Sequence, residues 1–478
     1  MCIWSRIRND GMEPLEDLKL KKGDEIELAI ESVSFGGQGV GRIDDFVIFV
    51  NGAVTGDTVR AKIFKKKKSF AEAKALEILS PSPDRIPAPC KYFGTCGGCR
   101  MQDVDYRAQL EIKRRNIEDV FQRIGGFENM TIPLPLGSPK IFHYRNKMEF
   151  TFGDRAWLTE IIAEDERPQF VLGMHVPQRF DKVLDIDFCY LPTPLASDIV
   201  NWVRTFAQKS GEPPYSVKHN KGFWRFLVIR QCEHTTDLMV NIITGDDHPS
   251  LMKEFKKGMI ETFPQITSLI NGVSKKLSQV AFSDYENVLF GKPIIVEKLG
   301  GFEFEISSNS FFQTNTLGAE VLYETVLKTA QLRGDELLYD LYSGTGSIAL
   351  YLSAHVKKVI GIELIENAVD NAKKNMIHNH VGNCEFLSGD MRHVLETIDL
   401  QPDVIVVDPP RSGMHEDVIR TLLQIGPEKI VYVSCNPSTQ ARDLALLCKE
   451  QYRIDKTQPV DMFPHTYHIE NVALLMRN

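Results

Sequence analysis

The chain has 478 residues, 43% of them hydrophobic and 25% charged, the balance of a globular protein with room for two or three domains. A net charge of −8 excludes a uniformly basic nucleic-acid binder and leaves local patches for that role. No uninterrupted apolar run is long enough to span a membrane, and residues 1–6 lack a secretory core, which implies a cytoplasmic protein with no membrane partner. Disorder is expected before about Leu18, and Met12 is an alternative start. Nine cysteines, an odd number in a chain without a signal peptide, point to metal binding or catalysis rather than disulfides.

Residues 17–80 carry the pattern of a small β-barrel. Glu25-Ile26-Glu27-Leu28-Ala29-Ile30-Glu31 has period two, 46–50 is a continuous apolar strand, and 59–63 alternates again. Gly36, Gly37, Gly39 and Gly41 supply a tight loop, and Asn51-Gly52 and Gly56-Asp57 read as turns. The lysines at 65–68 suit either a solvated loop or a phosphate-contacting strip. The run Ser34-Phe35-Gly36-Gly37-Gln38-Gly39-Val40-Gly41-Arg42, then Phe46-Val47-Ile48-Phe49-Val50, then Gly56-Asp57-Thr58-Val59, resembles the TRAM domain. That resemblance implies an RNA-binding barrel of the oligonucleotide-binding type, which holds strands on a basic, partly aromatic face.

Pro81, Pro83, Pro87 and Pro89 form a stiff linker into a mixed α+β middle region, 81–301. Cys90, Cys96 and Cys99 stand in a C-x5-C-x2-C array with Gly94, Gly97 and Gly98 between them. The glycines let the backbone wrap an object with all three sulfurs turned inward. Three close cysteines plus a distant fourth are a common layout for iron and sulfide; zinc is the competitor. The fourth ligand is Cys189 or Cys232. Residues 103–124 have helical spacing, with Tyr106, Leu110, Ile117, Val120, Phe121 and Ile124 on one side. Asp103 is placed to cap this helix and Gly125-Gly126 to stop it, and it is expected to pack on the catalytic domain. The rest of the region, 148–152 included, mixes short strands and loops in no order that can be read.

From 302 to 478 strands and helices alternate, the mark of a doubly wound α/β sheet. Strands are expected at 337–341, 359–363, 385–387, 404–407 and 430–434. Segments 453–460 and 472–476 are too close for a crossover helix and should form an antiparallel pair. The first strand closes in Asp340-Leu341-Tyr342-Ser343-Gly344-Thr345-Gly346, whose glycines admit a ligand to the backbone at a helix N-terminus. The next ends in Glu363, where an acid can take both hydroxyls of a ribose. The loop lacks the third glycine of the dinucleotide fingerprint, and no P-loop lysine follows. This order of parts resembles the class I methyltransferases and implies a Rossmann-like domain that binds S-adenosylmethionine. On that resemblance Asp390 lies near the adenine, and Asp408, in Asp408-Pro409-Pro410-Arg411, lies between cofactor and substrate.

Cys435 follows the strand at 430–434, and Asn436-Pro437 turns the chain out of it. A thiol there sits where α/β sheets bind ligands. Methylating an amine needs no thiol; methylating C5 of a pyrimidine does. A thiolate added at C6 makes C5 nucleophilic, and a base then removes the C5 proton so that the thiolate can leave. An ordinary thiol, with a pKa near about 8.5, is mostly protonated at neutral pH, so a neighbouring cation or deprotonation on substrate binding is required. The sequence does not identify that neighbour. For the base, Glu470 competes with His465 and His468.

Together these elements resemble the RNA uracil-5-methyltransferase family, in particular the 23S rRNA branch that carries an N-terminal TRAM domain. Ser434-Cys435-Asn436-Pro437 stands at the family's nucleophile motif, His468-Ile469-Glu470 at its base motif and Phe312-Gln313-Thr314-Asn315 at a cofactor-contacting segment. The resemblance favours Glu470 over the histidines and implies that Gln313, Tyr342, Gly344, Glu363, Asp390 and Asp408 hold S-adenosylmethionine. It also selects Cys189 to complete a [4Fe–4S] cluster with Cys90, Cys96 and Cys99. It places Tyr144-Arg145-Asn146-Lys147 near the RNA, rRNA or else tRNA, and implies a monomer. The alternatives are a methyltransferase acting at another RNA position, and a non-catalytic iron–sulfur protein that binds RNA or senses redox state.

Overall fold

The structure, a computed structural model, describes residues 20–478 apart from 159–162, 164–166, 178 and 278. The segment expected to be disordered, with the alternative start at Met12, lies outside the described residues. The chain divides into two compact units: residues up to Gly94 with Cys99–Asn116 and His465–Tyr467, and Thr95–Gly98 with Ile117–Pro464 and His468–Asn478.

In the first unit, β1 (Glu25–Ala29), β2 (Ser32–Val33), β3 (Gly39–Ile43), β4 (Phe46–Asn51), β5 (Thr58–Lys66) and β6 (Phe70–Ser80) make one sheet in the order β1-β5-β6-β4-β3-β2. Every pairing is antiparallel except that of β4 with β6. Alternation in β1 and β5 turns Ile26, Leu28, Val59, Ala61 and Ile63 into a core shared with Ile48, Val50, Ala71 and Ala73. Of the lysine run, Lys65 pairs with Glu72 at 2.5 Å and Lys66 lies over the Phe46 ring.

The turn at Gly56-Asp57 is tied to the proline linker by a buried charge. Asp57 accepts from the backbone N–H of Val54 (2.8 Å) and Ser82 (2.9 Å) and from the Arg85 guanidinium (2.6 Å), which also reaches Asp103. Burial works against the Asp57 carboxylate, but the Arg85 and backbone hydrogen bonds outweigh it and hold the pKa below the usual range. Helix α1 (Tyr106–Arg123) is therefore not capped by Asp103 as the sequence suggested. Asp105 caps it, accepting from the Arg107 N–H at 3.0 Å.

In the second unit, the region that could not be ordered from sequence is a seven-stranded sheet. It contains β7 (Lys147–Gly153), β8 (Val171–Val176), β9 (Arg179–Asp185), β10 (Trp224–Gln231), β11 (Leu238–Thr244), β12 (Ser268–Val273) and β13 (Tyr285–Gly291), ordered β13-β12-β11-β10-β7-β8-β9. Helices α2 (Pro194–Lys209) and α3 (Pro249–Thr262) cover it, with Ile199, Val203, Phe255 and Met259 meeting Leu227, Ile229, Val240 and Ile242 in one core. A hairpin of β14 (Ile294–Leu299) and β15 (Phe302–Ser307) leads to α4 (Thr316–Ala330).

The last sheet follows the α/β pattern. It alternates β16 (Leu337–Leu341), α5 (Ser347–Ser353), β17 (Lys358–Glu363), α6 (Glu366–His378), β18 (Cys384–Ser388), α7 (Met391–Val394), β19 (Val404–Val407), α8 (Glu416–Ile425), β20 (Lys429–Ser434) and α9 (Pro437–Glu450), and ends in β21 (Tyr452–Val460) and β22 (Glu470–Arg477). The order is β18-β17-β16-β19-β20-β22-β21. Strands β16 to β20 are parallel, and β22 runs antiparallel to both β20 and β21, so the predicted antiparallel pair forms. One core joins Ile295 and Phe304 of the hairpin, Leu322 and Val326 of α4, and Leu338, Val406, Val431 and Leu474. Cys232, the alternative metal ligand, is part of that core, and burial pushes its thiol up to about 12; its place is structural. Among the described residues no helix is long and apolar enough to cross a membrane.

Replacing Arg85 by Ala strands the Asp57 carboxylate and should cost about 3 kcal/mol, as removal of one partner of a buried pair does. Urea unfolding reads this as a lower midpoint; an unchanged midpoint would mean that desolvation cancels the pair.

Candidate active site

The registers of the last sheet set the site. Ile362 of β17 pairs with Leu341 of β16, Leu341 with Val407 of β19, and Val407 with Tyr432 of β20. The residues that follow the first three are Glu363, Tyr342 and Asp408, so parallel pairing brings them to one edge of the sheet. Strand β20 runs two residues further, where Ser434 pairs with Asn471 of β22. Cys435 and Glu470 stand one residue beyond that last pair: Cys435 has left β20, and Glu470 pairs with Val460 of β21.

The glycine turn leaves room at this edge. Gly344 has φ +54°, and no atom lies within 4 Å of where a Cβ would stand. Its N–H donates to Glu363 Oε2 at 3.1 Å. Gly346 answers to packing instead: φ is +80° and a Cβ would stand 2.7 Å from the Phe386 ring. Tyr342 takes φ +64° without being glycine, a strain of the kind stored at functional turns. A backbone open at Gly344 with an acid beside it fits the ribose and adjoining chain of a nucleoside cofactor. Gln313 stands ahead of α4, where the buried Tyr323 hydroxyl meets Ser347 Oγ at 2.7 Å at the start of α5. Asp390 caps α7, accepting from the Arg392 N–H at 3.0 Å, and the Arg392 side chain holds its carboxylate below the usual range.

Three acids crowd the other half of the edge. Burial pushes the Cys435 thiol up to about 11, and the charges of Glu470 and Asp408 add to the shift. Burial, then Asp408, lifts the Glu470 carboxyl well above its ordinary value. Glu470, at the start of β22, is only 9% exposed. Asp408 is pushed up to about 7 by burial. Asp340 is fully buried; Oδ2 accepts from the Ala349 N–H at 3.1 Å, Oδ1 has no partner among the described residues, and burial lifts its carboxyl well above the normal range. The cation acting on both Cys435 and Glu470 is Arg411. This is the neighbour missing from the sequence reading. The Asn436 side chain places it: Nδ2 donates to the Arg411 carbonyl at 2.8 Å while Oδ1 caps α9. Asp443 steadies the same loop, accepting from the Met414 N–H and from the Tyr432 hydroxyl at 2.7 Å.

The remaining candidates separate. His465 is buried and committed to Gln109, through its N–H at 2.9 Å and its ring at 3.1 Å. His468 lies edge-on to Phe463. In Tyr144-Arg145-Asn146-Lys147, Tyr144 donates to the Pro464 carbonyl and Asn146 Nδ2 to the Gln313 carbonyl at 2.9 Å, so both hold the site's loops. Cys90, Cys96, Cys99 and Cys189 are partly accessible and outside disulfides. Among the described residues no group of three or more His, Cys, Asp or Glu side chains is gathered to hold a metal ion.

Sheet order, glycine turn and the acid after the second strand define a class I methyltransferase domain. Residues 265–478 match the tRNA (Uracil-5-)-methyltransferase family and residues 19–76 the TRAM domain. A protein of Chlorobaculum tepidum described as an uncharacterized RNA methyltransferase is 40% identical over 97% of this chain and 99% of its own. One so described from Porphyromonas gingivalis is 40% identical over 94% and 100%. The crystal structure of Pyrococcus abyssi tRNA (uracil-54, C5)-methyltransferase in complex with S-adenosyl-L-homocysteine aligns with a TM-score of 0.75 at 29% identity, covering 94% of this chain and all of that one. The chain belongs to the tRNA (uracil-5-)-methyltransferase family: it is an S-adenosylmethionine-dependent RNA methyltransferase that methylates uridine.

Arg411→Gln removes the cation beside a thiol already raised by burial. Because the thiolate forms as pH rises through the thiol pKa, iodoacetamide alkylation of Cys435 should need higher pH in the variant. A profile that stays in place would remove Arg411 from thiol activation.

Proposed function

We propose that the chain methylates C5 of a uridine in structured RNA through a covalent bond between Cys435 and C6, with Glu470 as the base. The observation that carries this reading is that Cys435 and Glu470 flank the last β20–β22 pair closely enough for Glu470 to act on the thiol, with Asp408 and Arg411 acting on both. The target nucleotide must leave its stack to reach the sheet edge, at a cost of a few kcal/mol. Residues 17–80 and 81–301 would supply compensating contacts and 302–478 the chemistry. Phe311, 70% exposed and two residues before Gln313, offers a face for base stacking.

The cofactor, when bound, supplies a methyl group on a sulfonium as the electrophile. Gln313, Tyr342, Gly344, Glu363, Asp390 and Asp408 would hold it. The Cys435 proton must leave before attack, and Arg411 favours the thiolate. The sulfur then adds to C6, the C5=C6 pair shifts to make an enolate, and C5 takes the methyl group as the S–CH3 bond breaks and its electron pair leaves with S-adenosylhomocysteine. Glu470 accepts the C5 proton. The pair released by that C–H bond restores C5=C6 and expels the Cys435 thiolate. The raised Glu470 pKa makes its carboxylate a stronger proton acceptor than a surface acid.

For the target we favour 23S rRNA, on the resemblance of the motifs to that branch. The likeness to the Pyrococcus abyssi tRNA enzyme supports tRNA as the second reading. We place the reaction in the cytoplasm and assign it to a monomer. The iron–sulfur cluster is also our proposal, resting on the spacing of Cys90, Cys96 and Cys99 and on Cys189. The methylation requires no redox chemistry, so the cluster would be structural or would position the RNA.

Cys435→Ala should abolish methyl transfer and leave S-adenosylhomocysteine binding near normal, whereas Glu470→Gln should accumulate an RNA–protein adduct that survives denaturing electrophoresis. Turnover by the first variant, or wild-type turnover by the second, would sink the covalent route. Mass mapping of rRNA and tRNA from cells lacking the chain separates the two targets. Anaerobically purified protein should contain about four iron and four sulfide per chain; zinc in their place would refute the cluster.

A further inference from the structure

Arg230 lies near the end of β10, a strand with almost every residue buried, and is itself only 4% exposed. Taking a guanidinium out of water is costly, and an apolar side chain of similar volume would fill the place more cheaply. One nitrogen, Nη2, reaches out of the sheet and donates to the main-chain carbonyls of Ser308, at 3.2 Å, and of Ser310, while the buried Nε has no partner among the described residues. Both carbonyls belong to the irregular stretch between β15 and α4 that carries Gln313. The same stretch is held from the neighbouring strand. Asn146, just before β7, donates from Nδ2 to the Gln313 carbonyl at 2.9 Å and from its backbone N–H to the Thr314 carbonyl at 2.9 Å. Lys147, the next residue, is the register partner of Arg230, so β7 and β10 present two clamps side by side. A third comes from β13, where Glu286 accepts from Asn309 Nδ2 at 3.1 Å.

We propose that Arg230 is a positioning residue for the cofactor: it fixes the main chain of the 308–313 loop so that the Gln313 side chain meets S-adenosylmethionine, which makes the middle sheet part of the cofactor site. The inference rests on the reading that Gln313 contacts the cofactor. An interaction made through a held loop is sensitive to displacements of about 1 Å. Burial pushes the guanidinium pKa down only to about 10, so the clamp keeps its charge through the neutral range.

The experiment is calorimetric binding of S-adenosylhomocysteine to the full chain, with melting temperatures on the same samples. Gln313→Ala and Arg230→Met should each weaken binding roughly tenfold. Arg230→Lys should recover only part, because an ammonium on a shorter, more flexible stem does not hold both carbonyls as rigidly as the planar guanidinium does. The double variant should bind no worse than Gln313→Ala, since both act through one contact. In turnover, Arg230→Met should raise the KM for S-adenosylmethionine and leave kcat within a few-fold. An Arg230→Met protein that melts lower but binds within twofold of wild type has lost only sheet stability, which overturns the proposal. Losses that multiply in the double variant overturn it too. If Gln313→Ala binds like wild type, the premise falls and the proposal with it, while Arg230→Met still reports on the loop. Should Arg230→Met fail to fold, Arg230→Lys decides: binding within twofold of wild type refutes the clamp.

Discussion

The site depends on strand register. Residue-to-residue pairing across β17, β16, β19, β20 and β22 carries Glu363, Tyr342, Asp408, Cys435 and Glu470 to the same edge of one sheet. A slip of one residue in any strand would turn its side chain to the other face. The registers are held by the core beneath them, where Leu338, Val406, Val431 and Leu474 have no surface to give up. Chemistry at the edge is thus secured by hydrophobic packing, with no need for each functional side chain to be held by its own neighbours.

That arrangement has an electrostatic consequence. Burial at the edge raises the proton affinity of Cys435, Asp408, Asp340 and Glu470 together, and each negative charge makes the next harder to form. Arg411 offsets this for the thiol and for Glu470 but leaves the thiol well above neutrality. A resting thiol that stays protonated is protected from adventitious oxidation and alkylation, and a substrate that draws off its proton would bring reactivity and binding together.

The loops around the edge share a second device, the side-chain amide that joins two segments. Asn436 links the Arg411 loop to α9. Asn315 caps α4 and donates to the Met462 carbonyl at 2.8 Å, and Gln440 donates to the carbonyls of Tyr432 and Asn471. An amide both donates and accepts, so one side chain can close two backbone gaps without burying a charge.

The sequence by itself determined what local pattern can encode. Period-two alternation marked β1 and β5, continuous apolar runs marked β16 to β20, and the short gap before β22 marked an antiparallel pair. Residue types with only one good use in such places, such as Gly344, Glu363 and Cys435, marked the site. It did not determine what long-range pairing creates. β6 escaped notice because its outer half is exposed and shows no alternation. The middle sheet escaped because strands such as β10 and β11 are buried on both faces and lose the period that identifies them. Asp103 looked like a cap until Arg85, distant in sequence, claimed it. Glu470 competed with His465 and His468 for the role of base, and only the folding of β22 between β20 and β21 buried it near Cys435. The role of Arg411 was likewise decided by tertiary structure, because a charge acts through space over a few ångströms and chain distance says nothing about which groups will stand that close.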